Sequence, residues 1–293
     1  MSRIISASIL AALALQATPL YANPNASALF IDASALETQL SAQVDLSPMN
    51  WNAFEPTAIA ESFLRTEDSL TRRGTLANRR VYLSGAEWWV ELNSEKGSFV
   101  AERQESTSNA AGSLEALSLL PVANREDVQA DAVNRLLDWG IPHEEAGMIL
   151  PRAINVAGVS EDGEVTEDLL HSHKIFAFRA IDGIRVEGHR AVLTYNRDGS
   201  FQRARVHWPV LAAEGHRLRT ELSTQEIVER ARLAISRTGA PLEVASVQLT
   251  FEPNLNTEGE VTLTLKAQAS FDELSNNQIG ERIVVDVDVN AIR

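Results

Sequence analysis

Alternating strands closed by tight turns, together with two capped amphipathic helices, predict an α+β protein. The stretch Lys174–Trp208 holds three alternating or β-branched runs, separated by Asp182-Gly183 and by Asn196–Gly199. Runs bounded by Asp-Gly are strong hairpin signals. Asn124, with Glu126 and Asp127 behind it, opens a helix with the stripe Val128, Ala132, Leu136 and Trp139, widened by Val133 and Leu137. Ser223 and Glu226 form a capping box before a second stripe, Ile227, Ala231, Ala234 and Ile235. Gly140-Ile141-Pro142 and Gly239-Ala240-Pro241 stop the two helices in the same way. A helix laid on an antiparallel meander buries the apolar faces of both. The predicted architecture is therefore tandem small modules of that kind, behind an N-terminal α/β segment.

The sequence opens with Met1-Ser2-Arg3, followed by an apolar run from Ile4 to Ala17 and then Thr18–Ala22. This is the pattern of a secretory leader, cleaved between Ala22 and Asn23. The run is shorter than the ~18 residues a spanning helix needs, and Pro19 breaks it. Residues 1–22 are thus expected to be a signal peptide. The mature chain is expected in the bacterial periplasm or outside the cell, without a stable membrane anchor.

Residues 23–104 read as an N-terminal α+β segment. Ser34 and Glu37 fit a capping box, and Glu55-Pro56 with Ile59, Phe63 and Leu64 reads as a helix start. Val81–Leu83, Trp88–Leu92 and Ser98–Glu102 read as strands around the turn Asn93–Gly97. Residues 105–123 form a linker and short helix, because Glu105–Gly112 is polar, small and without period. The two modules then span 124–212 and 213–293. Val244–Phe251, Val261–Ala269 and Ile283–Val289 supply strands of the second.

The helix-led units share further features. Asp162–Thr166 recurs as Glu258–Thr262, and Gly188–Asn196 recurs as Gly280–Asp288. A fainter copy of the last motif is Gly85–Asn93. Order and spacing agree, which predicts an internal duplication.

Cysteine is absent. That excludes disulfides, thiolate zinc sites, cysteine nucleophiles and a lipidated N-terminus. The net charge is −14, and loss of Arg3 with the leader leaves 25 basic against 40 acidic residues, net −15. Such a surface argues against nucleic acid and anionic membrane as partners.

The segment Gly183-Ile184-Arg185-Val186-Glu187-Gly188, leading to Asn196–Gly199 behind a capped helix, resembles the PepSY and fungalysin/thermolysin propeptide-like modules. Tandem modules of this kind are also similar to extracytoplasmic regulators of two-component histidine kinases. The resemblance covers Asn124 to Arg293. The second copy departs from it, since Asn276–Gly280 lacks the Gly-Ile-x-Val core. The resemblance implies a non-catalytic role, binding or restraining a protease or sensor, and it supplies no catalytic residues to carry over.

The residues agree with that implication. His171 and His173 would share one face of a strand and form the weak metal-ligand pair of the chain, with no third ligand visible. His143-Glu144 begins like a zincin helix, but Gly147 stands where the second His is required. No nucleophile elbow or phosphate loop occurs, and no cofactor is expected.

Trp88 and Trp89 should face opposite sides of a strand, with both rings packed or with one in the core and the other anchoring a partner. Phe176 and Phe178 are expected in the core. Arg179, Arg185, Arg190, Arg197, Arg203 and Arg205 give the central hairpins a local positive bias, read as a solvated face or as a docking surface for an acidic peptide or glycan. Of these, Arg185, Arg190, Arg203 and Arg205 join the tryptophans as candidate partner-binding residues. The reading is a secreted or periplasmic non-enzymatic interaction protein, inhibitor-like or sensor-modulating, whose partner is another envelope or secreted protein. An open sheet edge could accept a strand of that partner. The alternatives are a cell-envelope hydrolase without a recognisable motif, and a carrier of an apolar ligand held between helix and sheet.

Overall fold

The computed structural model describes residues 30–41, 71–76, 80–85, 87–93, 96–104, 114–159, 165–212, 214–238, 244–275 and 278–289. The leader with Ala22 and Asn23, the helix expected near 56–64 and the linker 105–112 lie outside the described residues.

Among the described residues the protein is a mixed α/β structure made mostly of strands. The order is β1 (Phe30–Asp32), α1 (Ser34–Ser41), β2 (Thr71–Leu76), β3 (Arg80–Ser84), β4 (Trp88–Asn93), β5 (Ser98–Arg103), α2 (Leu114–Ser118) and α3 (Arg125–Asp138). It continues with β6 (Met148–Val159), β7 (Val165–Ile181), β8 (Ile184–Asn196), β9 (Phe201–His207), α4 (Thr224–Ser236), β10 (Val244–Leu255), β11 (Val261–Ser275) and β12 (Gln278–Val287).

The strands form one large mixed sheet in the order β12-β11-β10-β8-β9-β5-β4-β3-β2. β7 pairs with β8, β6 pairs with β7, and β1 lies parallel to β10. β8 is the hub. Along one edge it pairs with β7, and along the other it meets β10 at Arg185 and Val186 and β9 from Arg190 to Tyr195.

The helix starts follow from their caps. The Asn124 side chain accepts from Glu126 N at 2.9 Å. The Ser223 hydroxyl accepts from Glu226 N at 3.4 Å, while the Glu226 carboxylate accepts from Ser223 N at 2.8 Å, so that capping box is complete. The box expected at Ser34 does not form. Asp32 accepts from Ser34 N at 3.0 Å and Ala33 O accepts from Glu37 N, because the helix starts one residue earlier than its Ser suggests. Leu137, expected in the α3 stripe, is exposed.

Two buried clusters hold the chain together. The first packs Val128, Ala132, Leu136 and Trp139 of the α3 region against the inner side of β4, β5, β7, β8 and β9. Trp88 stacks on Phe201 at 5.2 Å, and Trp139 meets Phe99 edge-on at 4.9 Å. The second packs Leu36 of α1 and Ile227, Ala231 and Ile235 of α4 on Val247, Leu249, Phe251, Leu263 and Leu265. Ile181, Ile184 and Val186 also belong to this second cluster, although the other ends of their strands lie in the first. The Asp182-Gly183 turn has positive φ at both residues, 48° and 77°, as a two-residue hairpin with this twist requires.

The segment read as one N-terminal unit is shared out. β1 and α1 pack with the second cluster, and Gln39 clamps Leu249 through both its amide atoms. β2 to β5 extend the sheet of the first.

Phe176 and Phe178 are not in the core. Ile175 and Ala177 are fully buried, and the two rings stack on each other at 6.3 Å on the opposite face. The covered face is already filled by Trp88, Phe99, Trp139, Tyr195 and Phe201, so β7 presents its small and aliphatic residues there. Close packing of large rings requires small neighbours.

Candidate binding cleft

The regular β7–β8 ladder breaks where the two clusters meet. Phe178 pairs with Arg190, but Ala180 pairs with Arg185. Arg179 therefore faces a run of four residues, Val186–His189, instead of one.

Arg179 is 1% exposed, and Glu145 beside it is 2% exposed. Their Nε and Oε2 atoms form an ion pair at 2.8 Å. Trp208 Nε1 donates to the same Glu145 oxygen at 2.8 Å, and Arg179 Nη1 donates to Pro209 O at 2.6 Å. Burial lowers the Arg179 pKa to about 10, against the pull of Glu145, so the guanidinium stays charged at neutral pH. A buried charge is tolerated only when paired and hydrogen-bonded in this way. Glu145 is delivered by the turn after α3, where its backbone oxygen accepts from Ala180 N at 2.8 Å.

A cavity of about 510 Å³ opens beside this pair. Asn93 and Lys96 come from the β4–β5 turn, His189 from β8, His207 from the end of β9, and Pro253, Leu255 and Val261 from the β10–β11 hairpin. The turn is tight. Gly97 has φ +54°, a Cβ there would run into Pro209 Cα, and Gly97 O accepts from Trp208 N at 2.7 Å. Asn93 Oδ1 accepts from Lys96 N at 3.0 Å.

His189 is 2% exposed, with Nδ1 3.4 Å from Arg179 Nη1 and its ring edge-to-face with His207 at 5.4 Å. A guanidinium only donates, so Nδ1 accepts and the neutral ring carries its proton on Nε2. Burial, then the Arg179 charge, then His207 push its pKa down to about 3. His207 is lowered by burial, Arg179 and Lys96 in turn.

A second concavity of about 510 Å³ lies on the outer face of the sheet and shares His207 with the first. Register explains what gathers there. Trp89, Glu102, Arg203, Thr194 and Lys174 oppose one another across β4, β5, β9, β8 and β7. The next row holds Val100, Arg205, Val192 and Phe176, and the next His207, Arg190 and Phe178. Arg203 pairs with Glu102 at 3.2 Å.

Three of the four expected arginines, Arg190, Arg203 and Arg205, thus come together, joined by Lys174. Arg185 does not line the groove but sits at its margin, its guanidinium 4.1 Å from the centre of the Phe178 ring. Burial and then the Arg190 charge lower its pKa against the pull of Glu187. Trp88 and Trp89 divide between the faces as expected: Trp88 is fully buried, and half-buried Trp89 packs against Tyr82 at 6.1 Å.

His171 and His173 do not converge. A β-bulge sets Ile154 opposite Ser172 and Asn155 opposite Leu170, leaving His171 unpaired in the ladder. The bulge resets the alternation. His171 is exposed, and His173 is buried with its pKa lowered by burial and by Arg125. Among the described residues no group of three or more His, Asp or Glu could hold a metal ion, and nothing positive points to an enzyme.

Glu145, His189 and His207 escaped the sequence reading. Arg179 carried a partial signal, since it continues the core-facing series Ile175, Ala177. A cation in that register implies a buried acid, but nothing local says which. His189 had only an indirect signal, Gly188 before it, a glycine inside a strand whose φ of +72° belongs to the irregularity opposite Arg179.

No family model matches the chain, and no curated protein does. Among solved structures, an uncharacterized protein from Eubacterium rectale is similar at 10% identity and a TM-score of 0.38, over 79% of this chain and 76% of that one.

Proposed function

We propose that the chain is an exported, non-enzymatic interaction protein that restrains or modulates another envelope or secreted protein, gripping an acidic, extended segment of it across the outer sheet face. The observation that supports this is the gathering of Lys174, Arg190, Arg203 and Arg205 around one groove on a chain of net charge −14. Neighbouring strands lie ~4.8 Å apart, so these cations form a ladder suited to successive acidic side chains. Charge complementarity of this kind steers and selects a partner. Trp89, at the rim of the same face, is the aromatic anchor.

The PepSY-like resemblance belongs to this reading, and so does a duplicated unit. α3 is followed by β6, β7 and β8, and α4 by β10, β11 and β12. Gly188–Asn196 falls on the third strand of the first series, and Gly280 to Val287 on the third of the second.

The test is fluorescence anisotropy of a labelled oligoglutamate peptide with the whole protein. Binding should weaken by about tenfold or more in an Arg190→Glu/Arg203→Glu/Arg205→Glu variant and fall with added salt. Binding that is indifferent to all three substitutions would exclude this face as the docking surface.

A further inference from the structure

We propose that the cleft between the β4–β5 turn and the β10–β11 hairpin is a binding site for a small organic carboxylate with an apolar body. Its volume, about 510 Å³, falls in the ~300–1,000 Å³ range of small-molecule sites. Its chemistry is one-sided. Among the described residues its lining includes a lysine, two histidines and two asparagines, and no Asp or Glu, on a chain with 40 acids.

Two donors of largely buried residues open onto the cleft. His189 is 2% and Asn93 4% exposed. His189 Nδ1 faces Arg179, and Asn93 Oδ1 is taken by Lys96 N. That leaves His189 Nε2–H and the Asn93 Nδ2 amide without a partner among the described residues. Both donors are held in place by their other atoms and face open space, so a ligand oxygen can accept from the two at once. Among the described lining residues, exposed Lys96 adds a positive charge. Arg179 is committed to Glu145 and to Pro209, so a singly charged anion fits better than a doubly charged one.

The remaining wall is apolar. Pro209, Pro253, Leu255 and Val261 face the same space. Leu255, 75% exposed at the hairpin tip, forms an accessible apolar rim to the cleft. A carboxylate held by His189 and Asn93, with an alkyl or aryl body against Leu255 and Val261, satisfies both halves of the cleft. Inorganic anions satisfy only the first half and neutral lipids only the second.

The experiment titrates the whole protein with octanoate, with 1-octanol and with inorganic phosphate, following heat and the histidine imidazole resonances. Octanoate should bind with Kd below about 1 mM and move the His189 signals, while octanol and phosphate bind at least about tenfold more weakly. Leu255→Glu, at an exposed position that leaves the fold intact, should weaken octanoate by about tenfold or more. Arg203→Glu, on the outer face, should leave it unchanged, which separates this site from the acidic-segment groove. Octanoate binding that survives Leu255→Glu, equal binding of octanol, or no binding of octanoate overturns the proposal.

Discussion

Arg179 Nε and Glu145 Oε2 stand 2.8 Å apart with side chains only 2% and 3% exposed. The pair ties the turn after α3 to β7 at the point where the β7–β8 ladder breaks. Removing one partner leaves a buried charge uncompensated. Arg179→Met or Glu145→Gln alone should therefore cost about 3–5 kcal/mol. The double variant Arg179→Met/Glu145→Met should cost less than the sum, because neither charge then remains. Urea unfolding of the four proteins gives the coupling, and strict additivity would show that the two groups are satisfied independently.

His189 makes the protein acid-sensitive. Its pKa is about 3 in the fold against 6.5 when unfolded. As pH falls through 6.5 the unfolded chain takes up a proton and the folded one does not. The contribution is therefore fully present above pH 6.5 and is lost as pH falls toward 3. The charged groups facing it are Arg179 from β7, His207 from β9 and Lys96 from the β4–β5 turn. His207 and His173 are lowered too and act in the same direction. Between pH 7.5 and pH 5 the protein should lose about 2 kcal/mol more than a His189→Gln variant does. Chemical denaturation at the two pH values measures the difference, and equal losses would contradict a buried neutral imidazole.

Local chemistry made most elements legible in the sequence. The Asn124 and Ser223 caps, the Asp182-Gly183 turn and the Trp88/Trp89 division are all properties of a few adjacent residues. What was not legible depended on partners far along the chain. Which face of β7 is covered is decided by the rings already packed under α3, and that put Phe176 and Phe178 outside. Whether His171 and His173 share a face depends on a bulge set by β6. The Glu145–Arg179–His189 cluster draws its members from a turn and two strands around an irregular crossing, so no spacing could announce it. Arg190, Arg203 and Arg205 were readable as a set because hairpin register alone brings them together.

Gly97 is the backbone residue on which the cleft turns. Its φ is +54°, and a Cβ would meet the backbone of Pro209. Pro209 O is the acceptor for Arg179 Nη1, so pressure at Gly97 reaches the buried ion pair. Gly97→Ala should destabilise by more than about 2 kcal/mol, above the usual cost of a surface turn substitution. Gly259→Ala also has positive φ, +82°, but meets nothing within 4 Å. It therefore controls for the conformational term alone. Thermal melts of the two variants should separate clearly, and equal shifts would mean that Pro209 yields freely.

The β7–β8 hairpin makes the two clusters depend on each other. Its base, at Ile175, Ala177, Ala191 and Leu193, is buried in the first cluster. Its tip, at Ile181 and Ile184, is buried in the second against residues of α4, β10 and β11. Ile184 is 1% exposed, so Ile184→Ala removes three carbons from a closed core and should cost about 2–5 kcal/mol. The cost falls first on the second cluster. Trp88, Trp139 and Trp208, however, all lie in the first, and their fluorescence reports its unfolding. With one hairpin spanning both, the tryptophan midpoint in urea should drop together with the midpoint followed by far-ultraviolet circular dichroism. A fluorescence midpoint unchanged from the parent, beside a lowered dichroism midpoint, would show that the clusters unfold separately and that the hairpin tip is only docked.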